Sequence, residues 1–171
     1  ETITEAEYLE MIALKTAVLL GFSLQVGALL GGATHETAQK LYDFGVNIGI
    51  GFQLKDDLLD VFGETEKVGK QKGGDIVANK KTFLLIKAIE LAQDNLLYSL
   101  NYWMSKKNFS AEEKVNAITE IYKQLSIQEI TLQKMNEFFA RAFQLLNRIE
   151  LPEERKELLR QFTQQLIERE K

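Results

Sequence analysis

Residues 53–63 read QLKDDLLDVFG, three aspartates (Asp56, Asp57, Asp60) set into a stretch otherwise suited to a protein interior. Ionised carboxylates on a largely apolar segment are costly unless something cationic meets them. Read as a helix, the stretch puts Asp56 and Asp60 on one face. Asp57 falls beside Asp60 at the i, i+3 spacing, and Gln53 lies one turn before Asp56. Leu54, Leu58, Leu59, Val61 and Phe62 surround them with apolar surface, so the acids form a narrow stripe on a mostly buried helix.

Upstream lies FGVNIGIGF, residues 44–52, whose Gly45, Gly49 and Gly51 each cost a helix about 1 kcal/mol against alanine. Close helix packing could offset that cost, as could approach of the backbone to a ligand. Further back, AVLLGFSLQVGALLGGA (17–33) is at the lower limit of length for crossing a bilayer and holds Ser23 and Gln25. A helix buried among other helices is the expectation, with no membrane span. Thr4 with Glu7 reads as a capping box opening that helix through Tyr8, Ile12 and Leu19. GGATHE breaks it, and Thr34 can cap the next helix, from about Glu36 to Val61. His35, at the same break, is expected to serve as a surface cap rather than in catalysis.

Downstream, a loop runs from about Phe62 to Gly74 and a further helix from about Ala78 to Gln93. Ser110 with Glu113 and Ser126 with Glu129 are two more capping boxes, and Leu151-Pro152 opens a terminal helix whose charged end is a solvated tail. Sustained period-two alternation is missing, so strands are not expected. The expectation is a single all-α domain over 1–171, of about six helices, without repeats.

The 171 residues suffice for one domain with a sizeable core. Cysteine is absent, which rules out disulfides and cysteine-ligated metals and fits a cytoplasmic location. A net charge of −4 gives no support to nucleic-acid binding through a broad basic surface. The chain opens with acidic and polar residues that do not read as a signal peptide. It begins at Glu1 rather than methionine, so it is expected to be a piece of a longer protein.

Between Gln53 and Thr82 stand six acids (Asp56, Asp57, Asp60, Glu64, Glu66, Asp75) and six lysines (Lys55, Lys67, Lys70, Lys72, Lys80, Lys81). The acids lead and most lysines follow, with Gly69, Gly73 and Gly74 letting the backbone bend toward a ligand. Carboxylates holding a hard divalent cation, faced by ammonium groups, suit a phosphate ester. A solvated acidic face beside ordinary surface lysines is the plain alternative. Lys15, in a helix rich in alanine, valine and leucine, is either a snorkelling surface lysine or another phosphate contact.

GIGFQLKDDLLDVFGETEKVGKQKGGDIVANKKTFL (49–84) resembles the second aspartate-rich region of the trans-isoprenyl diphosphate synthases, the polyprenyl synthetase family. Phe52-Gln53, the DDxxD of Asp56, Asp57 and Asp60, Phe62-Gly63, Gly69-Lys70, Gly74-Asp75 and Lys80 fit that signature. Lys15-Thr16 resembles the family's lysine-threonine pair, and residues 151–170 its C-terminal helix.

The resemblance implies an isoprenoid-synthase-type helical bundle around a deep cavity, usually a homodimer. It implies Mg²⁺-dependent head-to-tail (1'-4) condensation of isopentenyl diphosphate with an allylic diphosphate. By the same resemblance Asp56 is a direct metal ligand, Asp57 and Asp60 act directly or through water, and Asp75 supports them. Lys15, Lys70 and Lys80 contact diphosphate oxygens. Thr16 and Gln53 lie beside the developing allylic cation, where oxygen dipoles stabilise it.

The family's first aspartate-rich motif and its diphosphate-binding arginines have no counterpart here, the first arginine being Arg141. The resemblance is therefore to a C-terminal portion, and the isolated chain is expected to be inactive. A non-catalytic partner subunit of a prenyl synthase and a relative of the terpene cyclases are the competing readings. Residues near the missing motif would set product length, so none is inferred. Association is expected through the two long apolar helices.

Overall fold

Side-chain caps start the first helices where the sequence places them. In the computed structural model, which describes residues 3–63 and 72–169, Thr4 and Glu7 cap reciprocally. The Thr4 N–H donates to Glu7 Oε2 at 2.8 Å and the Glu7 N–H to Thr4 Oγ1 at 3.2 Å, opening α1, Glu5–Ile12. Thr34 Oγ1 accepts from the Thr37 N–H at 3.2 Å at the start of α3, His35–Phe62. Thr34 is thus the cap, and His35, expected in that role, is the first helical residue. Between them a π-helical turn, Ala13–Ala17, carries the chain into α2, Val18–Leu30.

The helix expected over 78–93 is instead shorter, starting at Phe83, and a separate short helix precedes it. A short helix α4, Gly74–Val77, ends before Asn79, whose φ of 52° leaves the right-handed helical region. Thr82 is extended and caps α5, Phe83–Leu91, its Oγ1 accepting from the Leu85 N–H at 3.3 Å. The sequence contained that cap, but a threonine inside an apolar run reads equally well as helix interior. Then come α6 (Asp94–Ser105), α7 (Ala111–Gln124), α8 (Ile127–Asn147) and α9 (Glu153–Glu168). Ser110 caps α7, its Oγ accepting from the Glu113 N–H at 3.5 Å. Ser126 does not take the extended backbone of a cap; its φ is 53°, in the tight turn between α7 and α8. The described residues are all-α, in nine α-helical segments rather than about six.

The chain divides into two compact units. Among the described residues the first comprises 3–8, 56–63 and 72–132. Its core gathers Val61, Ile76, Leu84, Leu85, Leu100, Ile118, Ile121 and Ile127 from α3 to α8. The second comprises Leu9–Lys55 and Gln133–Arg169. There the first helices pack antiparallel with almost no side chain between them. A Cβ on Gly49 would stand 2.5 Å from the Ala17 Cα, and one on Gly45 would stand 2.8 Å from the Gly21 Cα. Backbone approach thus explains the helix-weakening glycines, and Gly51 makes room for the ring of Phe139.

One expectation is overturned in this unit. The apolar run is not buried among helices: 17% of its 18-residue window is buried. Leu14, Leu19, Phe22 and Leu30 are 54–84% exposed. By length and composition alone Glu5–Leu30 is long and apolar enough to cross a membrane.

Candidate functional site

The last two turns of α3 face their carboxylates in different directions. Asp56 is exposed, Asp60 is half-buried and Asp57 is buried. Asp57 Oδ2 accepts a hydrogen bond from the Tyr8 hydroxyl and a second, at 3.4 Å, from the Phe83 N–H at the start of α5. Its Oδ1 lies 3.7 Å from Lys80 Nζ. Burial pushes the Asp57 carboxyl up to about 6, against the opposing pull of Tyr8 and Lys80. Tyr8 responds in the same sense: burial, then the neighbouring Asp57 charge, raises its hydroxyl well above the ordinary tyrosine value.

Asp60 organises the segment beyond α3. Its main-chain carbonyl accepts from the Gly73 N–H at 2.7 Å, and its Oδ2 accepts from the Asp75 N–H at 3.0 Å. It therefore caps the start of α4, where main-chain N–H groups have no helical partner. Gly73 has a φ of 78°, a conformation that favours glycine, and a Cβ there would meet Val115 of α7 at 2.6 Å. Asp75 projects from α4 and pairs with Lys80, Nζ to Oδ2 at 2.7 Å. Burial opposes the charge on Lys80, but Asp75 and Asp57 outweigh it and its pKa is raised. Burial raises the pKa of Asp60 too, helped by the like charges of Asp75 and Asp56.

The predicted residues are thus partly gathered. Asp57, Asp60, Asp75 and Lys80 form one connected network, with Asp56 at its exposed edge. Gln53 lies one turn earlier along α3 and is half-buried. Lys15 and Thr16 belong to the other unit, where the π turn carries them, Lys15 exposed and Thr16 half-buried. Such turns recur at functional positions because the extra residue redirects the side chains around it. Lys70 lies outside the described residues, as do Glu64, Glu66, Lys67 and Gly69.

Among the described residues no three His, Cys, Asp or Glu are grouped to hold a metal ion. The donor set nonetheless fits a hard divalent cation that needs only one or two carboxylates, with waters and phosphate completing its shell. Like-charge crowding around Asp60 is what such a cation would relieve. Both oxygens of Asp57 already have partners, Oδ2 in Tyr8 and the Phe83 N–H and Oδ1 in the Lys80 ammonium.

Sequence reading missed Tyr8, Asn79, Thr82 and Lys114. Tyr8 fitted an apolar core position, and only its polar tip hinted at a buried acceptor. Lys114 is a fully buried lysine whose Nζ donates to Asn79 Oδ1 at 2.7 Å and to the Val77 carbonyl at 3.3 Å. Its position on the apolar face of α7, in register with Ile118 and Ile121, was the available signal.

The family model for polyprenyl synthetase matches residues 1–124. Geranylgeranyl diphosphate synthase of Sulfolobus acidocaldarius is 34% identical over 147 residues, 86% of this chain and 44% of that protein. A crystal structure of a geranylgeranyl pyrophosphate synthase superposes with a TM-score of 0.89 at 36% identity, covering 99% of this chain and 53% of that one. The polyprenyl synthase of Caulobacter crescentus, solved with calcium and isoprenyl diphosphate, gives 0.87 at 27% identity, covering 99% of this chain and 51% of that one. The chain thus spans about half the length of the relatives it matches.

Proposed function

The chain belongs to the polyprenyl synthetase family, and from that premise we propose that it supplies the second aspartate-rich half of a trans-prenyltransferase site. The reaction is the head-to-tail (1'-4) condensation of isopentenyl diphosphate with an allylic diphosphate. The observation that carries this reading is Lys80, held at 2.7 Å from Asp75 and 3.7 Å from Asp57. An ammonium fixed beside carboxylates offers both signs of charge that a metal-bound diphosphate needs.

In this reading Asp56 and Asp60 hold Mg²⁺, whose contribution is to neutralise the diphosphate as it leaves. Asp57 keeps the end of α3 in place through Tyr8 and the Phe83 N–H. Lys80, Lys15 and Lys70 bind diphosphate oxygens. Gln53 and Thr16 offer fixed oxygen dipoles to the allylic cation, which the isopentenyl double bond then attacks. A proton is lost to the departing diphosphate, closing the balance. The apolar residues around the acids on α3 help keep water from the cation. The exposed face of Leu14, Leu19, Phe22 and Leu30 is assigned to association with a second copy.

The missing first aspartate motif makes the chain inactive by itself. The test is to mix it with the N-terminal half of the Sulfolobus acidocaldarius enzyme and supply labelled isopentenyl diphosphate, an allylic diphosphate and Mg²⁺. Product is expected from the mixture only, and Asp56→Ala is expected to abolish it. Turnover by the chain alone would overturn the inactivity claim, and an active Asp56→Ala mixture would overturn the assignment of Asp56.

A further inference from the structure

We propose that Lys114 is a positioning residue for the acidic site, fixing the short helix α4 and the turn after it so that Asp75 and Lys80 stand beside Asp57 and Asp60. The proposal rests on the prenyltransferase reading for its functional consequence, though not for its geometry.

A fully buried ammonium must be satisfied or expelled. Lys114 sits near the start of α7, and both of its hydrogen bonds fall on α4 or the turn after it. It donates to the carbonyl of Val77, the last residue of α4. It donates to Asn79 Oδ1 at 2.7 Å, and the ring of Phe109 lies 4.3 Å from its Nζ. Asn79 in turn donates from Nδ2 to the Met104 carbonyl at 3.0 Å, tying the turn to the end of α6. The positive charge therefore lies at the end of a helix where carbonyls lack partners.

The opposite end of α4 is capped by Asp60, through the Asp75 N–H. One four-residue helix is thus gripped by an anion that belongs to the candidate site and by a cation that does not. Lys114 and its neighbour Val115, which packs on Gly73, make α7 the platform for both ends. Isolated, a helix this short would not persist. Asp75 stands on this helix and Lys80 just beyond its end, and their pairing defines the site. The Lys80 N–H bonds the Asp75 carbonyl at 2.9 Å, so the turn has one register when Asn79 is held at its φ of 52°. A lysine serving only as core filler would have no reason to select these acceptors, since any apolar side chain of its length would fill the space.

The experiment compares Lys114→Met with the unaltered chain by amide hydrogen exchange. The reporters are the N–H groups of Ala78, Asn79, Lys80 and Thr82, all bonded within the segment. Their exchange is expected to quicken about tenfold or more, while amides inside α5 and α7 keep their rates. Unchanged reporters, or an equal quickening everywhere, would overturn the proposal. Should Lys114→Met fail to fold, Asn79→Gly is read the same way, because glycine accepts the turn's φ while removing the side-chain contact.

A second measurement titrates Mg²⁺ with inorganic pyrophosphate. Affinity is expected to fall about tenfold in Lys114→Met and not to fall further when Lys80→Met is already present. Equal weakening in both backgrounds would show that Lys114 does not act through Lys80. Absence of pyrophosphate binding by the unaltered chain would count against the site reading, while the exchange data would still decide the role of Lys114.

Discussion

In the unit built mainly from Asp56–Leu132, Asp57 is held by the Tyr8 hydroxyl, the Phe83 N–H and Lys80, and Asp60 by the Gly73 and Asp75 main chain. In the unit of Leu9–Lys55 and Gln133–Arg169, Lys15 stands exposed on a π turn two residues from Ala17, which lies against Gly49. The first arrangement fixes its charged groups through hydrogen bonds to named partners. The second fixes a backbone by removing side chains and lets the charged group project from it. Damage in the first should therefore be graded and pH-dependent, whereas damage in the second should be abrupt in the packing and negligible at the lysine.

The largest effect is expected where that packing has no slack. Gly49→Leu would drive a side chain into the Ala17 main chain, where even a Cβ would stand at 2.5 Å. Backbone cannot yield as the tip of a flexible side chain can, so a loss on the order of 3–4 kcal/mol is expected in urea unfolding. A loss below about 1 kcal/mol would mean the two helices slide apart easily, and the contrast between the units would fail.

Next comes the pH response of the hydrogen-bonded network. A carboxyl whose pKa is about 6 when folded and 3.8 when unfolded binds its proton more tightly in the fold. Its contribution is fully present below about pH 4 and is lost as pH rises through about 6, amounting to roughly 2–3 kcal/mol. Asp57→Asn keeps an acceptor for Tyr8 and Phe83 but cannot ionise. With a chelator present, the stability of the unaltered chain relative to Asp57→Asn should therefore fall between pH 4 and 7. A pH-independent difference would show that Asp57 titrates normally and that its burial has little electrostatic effect.

These two predictions also mark what the sequence could carry. DDxxD at helical spacing announced a set of acids because all its members lie within two turns of one helix. The glycines of α3 announced a close approach without saying to what, since Ala17 is 32 positions from Gly49. Thr4, Thr34 and Ser110 could be read because caps are local; Ser126 has a positive φ of 53°, which no capping pattern encodes. The setting of Asp57 could not be read, because nothing near it in sequence shows that Tyr8, 49 residues away, donates to its carboxylate. The helix expected over 78–93 missed Asn79 for a related reason, as the turn is stabilised by Lys114 from another helix. Local chemistry was legible; long-range partners were not.

A smaller effect isolates one of those partners. Tyr8→Phe removes a single donor from a buried carboxylate and changes the packing little. The loss should be about 2 kcal/mol at neutral pH, where the stranded charge keeps only the Phe83 N–H and Lys80. It should shrink toward pH 4, because a protonated Asp57 can satisfy itself more cheaply. Denaturant midpoints at the two pH values read both parts, and a loss that stays constant would mean the tyrosine contributes by packing alone.

The smallest effect is the one that bears most on function. Lys15 is exposed, so Lys15→Met should shift stability by less than about 0.5 kcal/mol. Lys15 stands exposed on a π turn that interrupts an otherwise regular helix, so its role is to be read from activity rather than from stability. If it is a diphosphate contact, Lys15→Met should leave the melting temperature unchanged and lower product formation in the two-part mixture about a hundredfold, a loss of about 3 kcal/mol in transition-state binding. If instead it serves only to snorkel from an apolar helix, both readings should match the unaltered chain. The turn would then have to be explained by packing against Gly49 alone.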